Sequence, residues 1–384
     1  MSTAFSHEAR IDAFKQAQNI SEYSDQVKAF FSSERFYSLL DAKRWNTTIG
    51  YSVKRVRPDD QKRIDRIFNC GQAMSVVYSP SLKKSHTISK WCDERFCPVC
   101  NYYKSRRLFN RVYNYVACHP DRRYAFLTLT VKNVPKEDLR DTVQRMNRAF
   151  GLMFKLSSKG SKAARFFTGY LRRLEITYNI NEKSQSYRTF HPHFHVLLEC
   201  SPDYKPNTDC FYYYKDILTD WQKYYGDPEI CEINIEEIKP KMDSRGFDIG
   251  LAKAVAEVAK YPMKITKKLM APCQSDRLDE FIEGIFTLKG CIFESASKNF
   301  KPVLHFVSKP QEGDELPSVL DAPDAAAVGL FFSRRSNTFM ITKHYHLLSE
   351  DHKTGISVLA RIDAWYSTLS AWDHYLIDHP PDDI

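Results

Sequence analysis

The sequence predicts an α+β protein: a central antiparallel sheet with helices on one face, preceded by a zinc-containing N-terminal region and followed by a helical or mixed C-terminal region. Three observations carry this prediction. Segments alternating at period two and segments of helical spacing follow one another in the order β-α-β-β-α-β-α between Tyr124 and Tyr261. A short polar loop joins two of the strands, which pairs them antiparallel. Cysteines cluster ahead of the first strand, between Cys70 and Cys100.

The elements come in order along the chain. Residues 1–60 are charged and of helical character, with Phe30, Phe31, Phe36 and Tyr37 among them. Cysteines and turn residues dominate from Cys70 to Cys100, and a helix with a basic face at Lys104, Arg106, Arg107 and Arg111 runs from Tyr102 to Cys118. YAFLTLTV, Tyr124 to Val131, alternates and is rich in β-formers. Lys136 to Leu156 places Leu139, Val143, Met146, Phe150 and Phe154 on one helical side. Thr168 to Ile180 and His193 to Cys200 are strands around the loop Asn181 to Arg188. An aromatic helix (Phe211 to Tyr225), a strand (Glu229 to Ile238) and a helix (Ile249 to Tyr261) complete the series, which suits a ferredoxin-like or RRM-like layer. The Pro- and acid-rich stretch from Lys309 to Asp324 is the expected linker. The expected domains are 1–120, 121–270 and 271–384.

A chain of 384 residues, 43% hydrophobic and 27% charged, is long enough for two or three domains. No apolar run reaches the length of a membrane span. The first twenty residues are polar and carry acids, so no secretory or transit signal is expected, and the expected compartment is the cytoplasm. In that reducing setting, clustered cysteines are metal ligands before they are crosslinks. The net charge of +9 is unevenly spread. Asn101 to Glu175 carries 17 Lys/Arg against 5 Asp/Glu, whereas Gln311 to Ile384 carries 5 against 12. A basic middle suits a phosphate backbone, the acidic end does not.

Three constellations carry chemistry. In HPHFHVLL, His193 and His195 lie two apart on a strand and share a face, with Phe194 pointing to the other side. On the preceding strand, Glu175 alternates with Arg173 and Thr177, while Leu174, Ile176 and Tyr178 face away. Two imidazoles and a cross-strand carboxylate suit Mg²⁺ or Mn²⁺ acting on a phosphate. In EVAKYPMK, Glu257 and Tyr261 are four apart, one helical turn. A tyrosine phenolate is a competent nucleophile toward a phosphodiester, Lys260 or Lys264 can neutralise the phosphate, and Glu257 can serve as general base in a later step. Tyr and Glu at this spacing are otherwise ordinary surface residues. Finally, Cys92, Cys97 and Cys100, with Cys70 upstream, suit a structural Cys₄ zinc site. Cys118 or His86 remains an alternative fourth ligand. Arg106, Arg107, Arg111, Arg172 and Arg173 are the expected DNA contacts.

With these residues in place, the chain resembles the plasmid rolling-circle replication initiators of the HUH endonuclease superfamily, in the group with a CPxC segment. Phe126-Leu127-Thr128-Leu129-Thr130 followed by Asn133 resembles the family's first motif, HPHFHVLL the histidine strand, EVAKYP the tyrosine helix, LEITYN the strand supplying Glu175, and RFCPVCNYYKSRR the cysteine-rich segment. The resemblance spans residues 62–265. It implies an HUH nuclease core in which His193 and His195 bind the metal, Tyr261 nicks one strand at the origin and stays on its 5′ end, and Glu257 activates water at termination. It also implies duplex and hairpin origin DNA, a host helicase and a host polymerase as partners, with a second copy of the chain a further candidate. A transposase or relaxase of the same superfamily shares this chemistry, although relaxases commonly place the tyrosine before the histidines. A non-catalytic zinc-containing DNA-binding regulator would explain the cysteines and basic stretch but not the ordered histidine and tyrosine motifs.

Overall fold

The charged, helical N-terminal sequence forms α1 (Glu34–Val56), whose inward side carries Phe36, Leu39, Leu40, Ile49 and Val53, and α2 (Gln61–Asn69), capped by the Asp60 side chain accepting from the Arg63 amide. A computed structural model describes residues 31–346 apart from 32–33, 80, 83, 156–161, 243, 245–247, 261–262, 264, 267, 272–273, 298, 309–323 and 336. Tyr261, Lys264 and the expected linker up to residue 323 thus lie outside the described residues. After α2 come β1 (Ala73–Ser79) and β2 (Lys84–Ser89), an antiparallel pair in a stretch expected to be cysteines and turns. AMSVVYS is buried at every position, so it lacks the alternation that marks a one-sided strand. Then α3 (Pro98–Ala117) begins with proline at its first position, where the missing N–H costs nothing.

The contacts divide the chain into two units, Met1–Cys100 with Gln311–Ile384, and Asn101–Pro310. The second unit has the expected order: β3 (Tyr124–Thr130), α4 (Lys136–Met153), the short α5 (Lys162–Phe166), β4 (Phe167–Tyr178), β5 (Phe190–Cys200), α6 (Tyr214–Tyr225), β6 (Ile233–Glu237) and α7 (Ile249–Ala259). It continues with α8 (Ser275–Thr287), β7 (Glu294–Ala296) and α9 (Lys301–Ser308). The sheet order is β6-β3-β5-β4-β7, antiparallel throughout. Its first four strands are therefore arranged fourth-first-third-second, the ferredoxin-like order, with β7 added at the edge beside β4. In the first unit, β8 (Ala326–Ser333) and β9 (Thr338–His346) extend the first sheet to β2-β1-β8-β9. Residues 271–310 fall in the second unit, and β8, which pairs with β1, falls in the first.

Amphipathic helices cover one face of the second sheet, as expected. Leu139, Val143, Met146 and Phe150 of α4 recur at helical spacing and are buried. Phe150 and Trp221 of α6 meet Phe194 edge-on, and Phe281 of α8 stacks on Phe190 with ring centroids 6.2 Å apart. The opposite face is covered too, in part. Leu108, Val112 and Val116 of α3 and Leu251, Val255 and Val258 of α7 join Leu171 and Leu197 of the sheet in one cluster. These two helices add cover beyond the expected helical layer. Leu171 and Leu197 are apolar positions in line with Glu175 and the histidines, and these helices remove them from water. Among the described residues, no helix is long and apolar enough to cross a membrane.

At Gly284 of α8 an added Cβ would stand 2.3 Å from Cζ of the buried Phe190 ring. Gly284→Ala is therefore expected to destabilise the protein by about 1–3 kcal/mol through overpacking, read as a lower urea midpoint. An unchanged midpoint would show that α8 is free to shift.

Candidate active site

Antiparallel pairing of β4 with β5 sets Glu175 opposite His193 and Arg173 opposite His195, while β3 sets Thr130 and Thr128 on the far side of the two histidines. Period-two geometry sends all of these to one face. Glu175 Oε2 lies 3.0 Å from His193 Nε2 and 2.7 Å from His195 Nε2. The three residues are 6–9% exposed, and one ligand atom from each falls within 4.8 Å of the others. Burial opposes ionisation of Glu175, but hydrogen bonds from both imidazoles and their charge hold its carboxyl well below the usual range. His193 Nδ1 is 3.2 Å from the His191 carbonyl, and His195 Nδ1 is 3.5 Å from Thr128 Oγ1. A neutral ring that donates from Nδ1 to a carbonyl could turn its Nε2 lone pair to a metal in place of the hydrogen bond to Glu175. The donor set, one carboxylate oxygen and two imidazole nitrogens, fits a divalent cation with open positions.

Helix α7, which precedes the expected tyrosine in sequence, packs on β4 and β5. Asp248 caps it, accepting from the Gly250 and Leu251 amides at 3.0 and 3.1 Å, and Leu251, Val255, Val258 and Ala259 form its inner side. The helix ends at Ala259 rather than Tyr261, and Lys260 has left it at φ −53°, ψ 160°. The one-turn relation expected of Glu257 and Tyr261 is therefore not carried by continuous helical backbone. A residue preceding proline disfavours helical backbone, which explains a stop short of Pro262. Glu257 is half-buried and ion-paired with the exposed Lys260.

Arg172 and Arg173, two of the expected DNA contacts, face opposite sides of β4. Arg172 points away from the site, 2% exposed, with its guanidinium 4.9 Å from the Phe150 ring centroid and 4.1 Å from that of Phe194. Strand alternation dictates this, since Arg172 shares parity with Leu174. Arg173 does face the site, but its guanidinium donates to the Ala259 carbonyl at 3.1 Å and stands 3.6 Å from Glu294 on β7. Sequence reasoning missed this role, because both partners are more than eighty residues away and carry no local signal. Arg106, Arg107 and Arg111 are half-buried on α3, with Arg106 hydrogen-bonded to Tyr102.

In the first unit the four expected cysteines meet. Cys70, Cys92, Cys97 and Cys100 are buried, and their sulfurs lie within 4.8 Å of one another. Cys70 thus stands in the fourth position, while Cys118 is exposed. Gly71 comes next at φ +64°, a left-handed turn suited to glycine. Arg63 and Arg66 of α2 hold Glu94, fastening the loop between Cys92 and Cys97. Two buried polar residues of α1 were not anticipated. Lys43 Nζ donates to the Phe68 and Cys70 carbonyls, both at 2.7 Å, and burial pushes its ammonium down to about 8. Asn46 accepts from the Cys97 thiol at 2.9 Å. Four thiolates in this arrangement suit tetrahedral zinc.

Residues 83–316, more than half of the chain, match a protein family described as replication protein, Rep_1. The chain belongs to that family. The matched stretch includes the Glu175–His193–His195 triad, three of the four cysteines and the EVAKYP segment. A protein named "Protein rep" from Staphylococcus aureus is 28% identical over 239 residues, covering 61% of this chain and 96% of that protein. A "Protein rep" from Streptococcus pneumoniae serotype 2 is 27% identical over 209 residues, 53% of this chain and 61% of that one. A "Protein rep" from Bacillus amyloliquefaciens is 25% identical over 290 residues, 70% of this chain and 80% of its own. No solved structure matches the chain. The family resemblance read from the motifs is thus borne out.

Further along the site-bearing face of β5, Glu199 is buried and accepts from Arg122 and Thr168 at 2.9 and 2.6 Å and from Asn299 at 2.9 Å. Burial works against its ionisation, but these bonds outweigh it and leave the carboxyl below its usual range. A depressed folded-state value stabilises the protein above the unfolded carboxylate range, and that stability disappears as pH falls through the folded value. Between about pH 6 and pH 3, wild-type urea midpoints should fall more steeply than those of Glu199→Gln. Parallel profiles would remove Glu199 from the acid-sensitive groups.

Proposed function

We propose that this replication protein initiates rolling-circle replication by nicking one strand of origin DNA, with Tyr261 as nucleophile. What supports the reading is the convergence of Glu175, His193 and His195 on one buried face, in a chain whose EVAKYP segment lies at the end of a helix packed on the same two strands. Glu175, His193 and His195 would hold Mg²⁺ or Mn²⁺, which supplies Lewis-acid polarisation of the scissile phosphate. Tyr261 gives up its phenolic proton, and its oxygen forms a bond to phosphorus while the P–O3′ bond breaks. The products are a 5′-phosphotyrosine and a free 3′-OH, which takes up a proton and serves as primer. Lys260 and Lys264 offset phosphate charge near the nucleophile. Glu257 removes a proton from water in the terminating step.

Origin DNA, as duplex and as single-stranded hairpin, is the substrate, and Arg106, Arg107 and Arg111 of α3 contribute backbone contacts. A helicase and a polymerase of the host act on the nicked product, and a second copy of the chain is a candidate partner. Cys70, Cys92, Cys97 and Cys100 would hold a structural zinc, which would brace the start of α3.

Incubation with Mn²⁺ and a single-stranded origin oligonucleotide should give an adduct that survives detergent. Tyr261→Phe should lose it entirely, and His193→Ala should lose it while still binding the oligonucleotide. A complex that dissolves in detergent, with no adduct from wild type, would favour a non-catalytic regulator. Metal analysis of the purified protein should find one zinc per chain, lost together with thermal stability in Cys97→Ser; a stable, zinc-free wild type would remove that site.

A further inference from the structure

We propose that Arg173 is a positioning residue, which holds the end of α7, the helix that leads to Tyr261, against β4 next to the metal triad. The inference rests on the reading of Tyr261 as nucleophile. Arg173 lies two residues before Glu175 on the same face of β4 and directly opposite His195. Its side chain is 11% exposed and engages two protein groups, the Ala259 carbonyl at 3.1 Å and the Glu294 carboxylate at 3.6 Å.

The chemistry of each partner suits a clamp. Ala259 is the last residue of α7, where carbonyls lack helical donors and the helix dipole favours a cation. A guanidinium there fills both needs. Glu294 is the cross-strand neighbour of Arg173 on β7, and it compensates a charge that burial would otherwise make costly. The planar fork of arginine lets one side chain address a carbonyl and a carboxylate at once.

A second contact completes the arrangement. Met263, 1% exposed, bridges in parallel to Ile176 of β4. Beyond the apolar side of α7, the described residues that follow meet β4 at Ala259 on Arg173 and at Met263 beside Ile176. These strand positions fall on either side of Glu175. Since Lys260 has already left the helix, α7 by itself does not set the direction of the residues after it. The Arg173 contact is the last fastening before Tyr261 and the Ile176 contact the first after it, among the described residues.

Reaction rates respond steeply to placement: about 1 Å of misplacement costs on the order of 100-fold. The test uses the full chain with Mn²⁺ and the origin oligonucleotide, comparing wild type, Arg173→Gln, Arg173→Lys and Glu294→Gln. At saturating metal and oligonucleotide, Arg173→Gln should slow adduct formation by roughly 10–100-fold. Its oligonucleotide Kd and Mn²⁺ affinity should stay within about twofold of wild type. Arg173→Lys, which keeps a cation and a donor, should restore part of the rate, and Glu294→Gln should fall between. Hydrogen exchange in peptides spanning 257–263, measured without DNA or metal, should rise in Arg173→Gln.

A weakened Kd with a shallower salt dependence would instead make Arg173 a phosphate contact and overturn the inference. Unchanged rate and unchanged exchange would overturn it as well. Should Arg173→Gln fail to fold, Arg173→Lys and Glu294→Gln carry the same comparison. A wild type that forms no adduct sinks the nicking reading, while the exchange measurement still decides whether Arg173 clamps α7.

Discussion

The pairing of β4 with β5 places Glu175 across from His193 and Arg173 across from His195, and the chemistry of the second unit depends on that register. Side chains alternate with period two, so a slip of one residue would turn the carboxylate into the core beneath α4 and bring Leu174 up beside the histidines. Apolar partners on the helical face oppose such a slip. Leu174 stands opposite Phe194, and Tyr178 stands opposite Phe190, with the Tyr178 and Phe190 rings 4.9 Å apart. A site of three buried polar side chains thus depends on apolar packing it never touches.

Phe194 shows the dependence most directly. It lies between the two histidines in sequence and behind them in space, against Phe150, Trp221 and the Arg172 guanidinium. Burial lowers the Arg172 value to about 10, and the two aromatic faces supply attraction for the cation there. Neighbouring residues on one strand thereby have unlike tasks. Arg172 packs behind the site, and Arg173 fastens the end of α7 in front of it.

In the first unit, the four cysteines show a related economy of charge. Thiols brought this close perturb one another: hydrogen bonds from Cys100, Cys92 and Cys97 hold Cys70 low, while burial pushes Cys97 up. Lys43 bonds the carbonyl of Cys70 itself, and Asn46 reaches Cys97 from the next turn of α1. A buried cation beside the Cys70 carbonyl would offset the negative charge that metal-bound thiolates carry and hydrocarbon cannot solvate.

Much of this protein was legible in one dimension. Alternation marked β3, β4 and β5, helical spacing marked α4, α6 and α7, and the residue types and spacing of HPHFHVLL, LEITYN and the cysteine segment named the candidate ligands. Local periodicity encodes these features, because each reflects how one residue stands to its near neighbours. Folding in three dimensions decided the rest. It selected Cys70 for the fourth sulfur position, turned Arg172 inward and Arg173 onto Ala259, ended α7 before Tyr261, and gave β1 its partner in β8. Those outcomes depend on strand register and on burial against residues far along the chain. No window of sequence contains both members of such a pair.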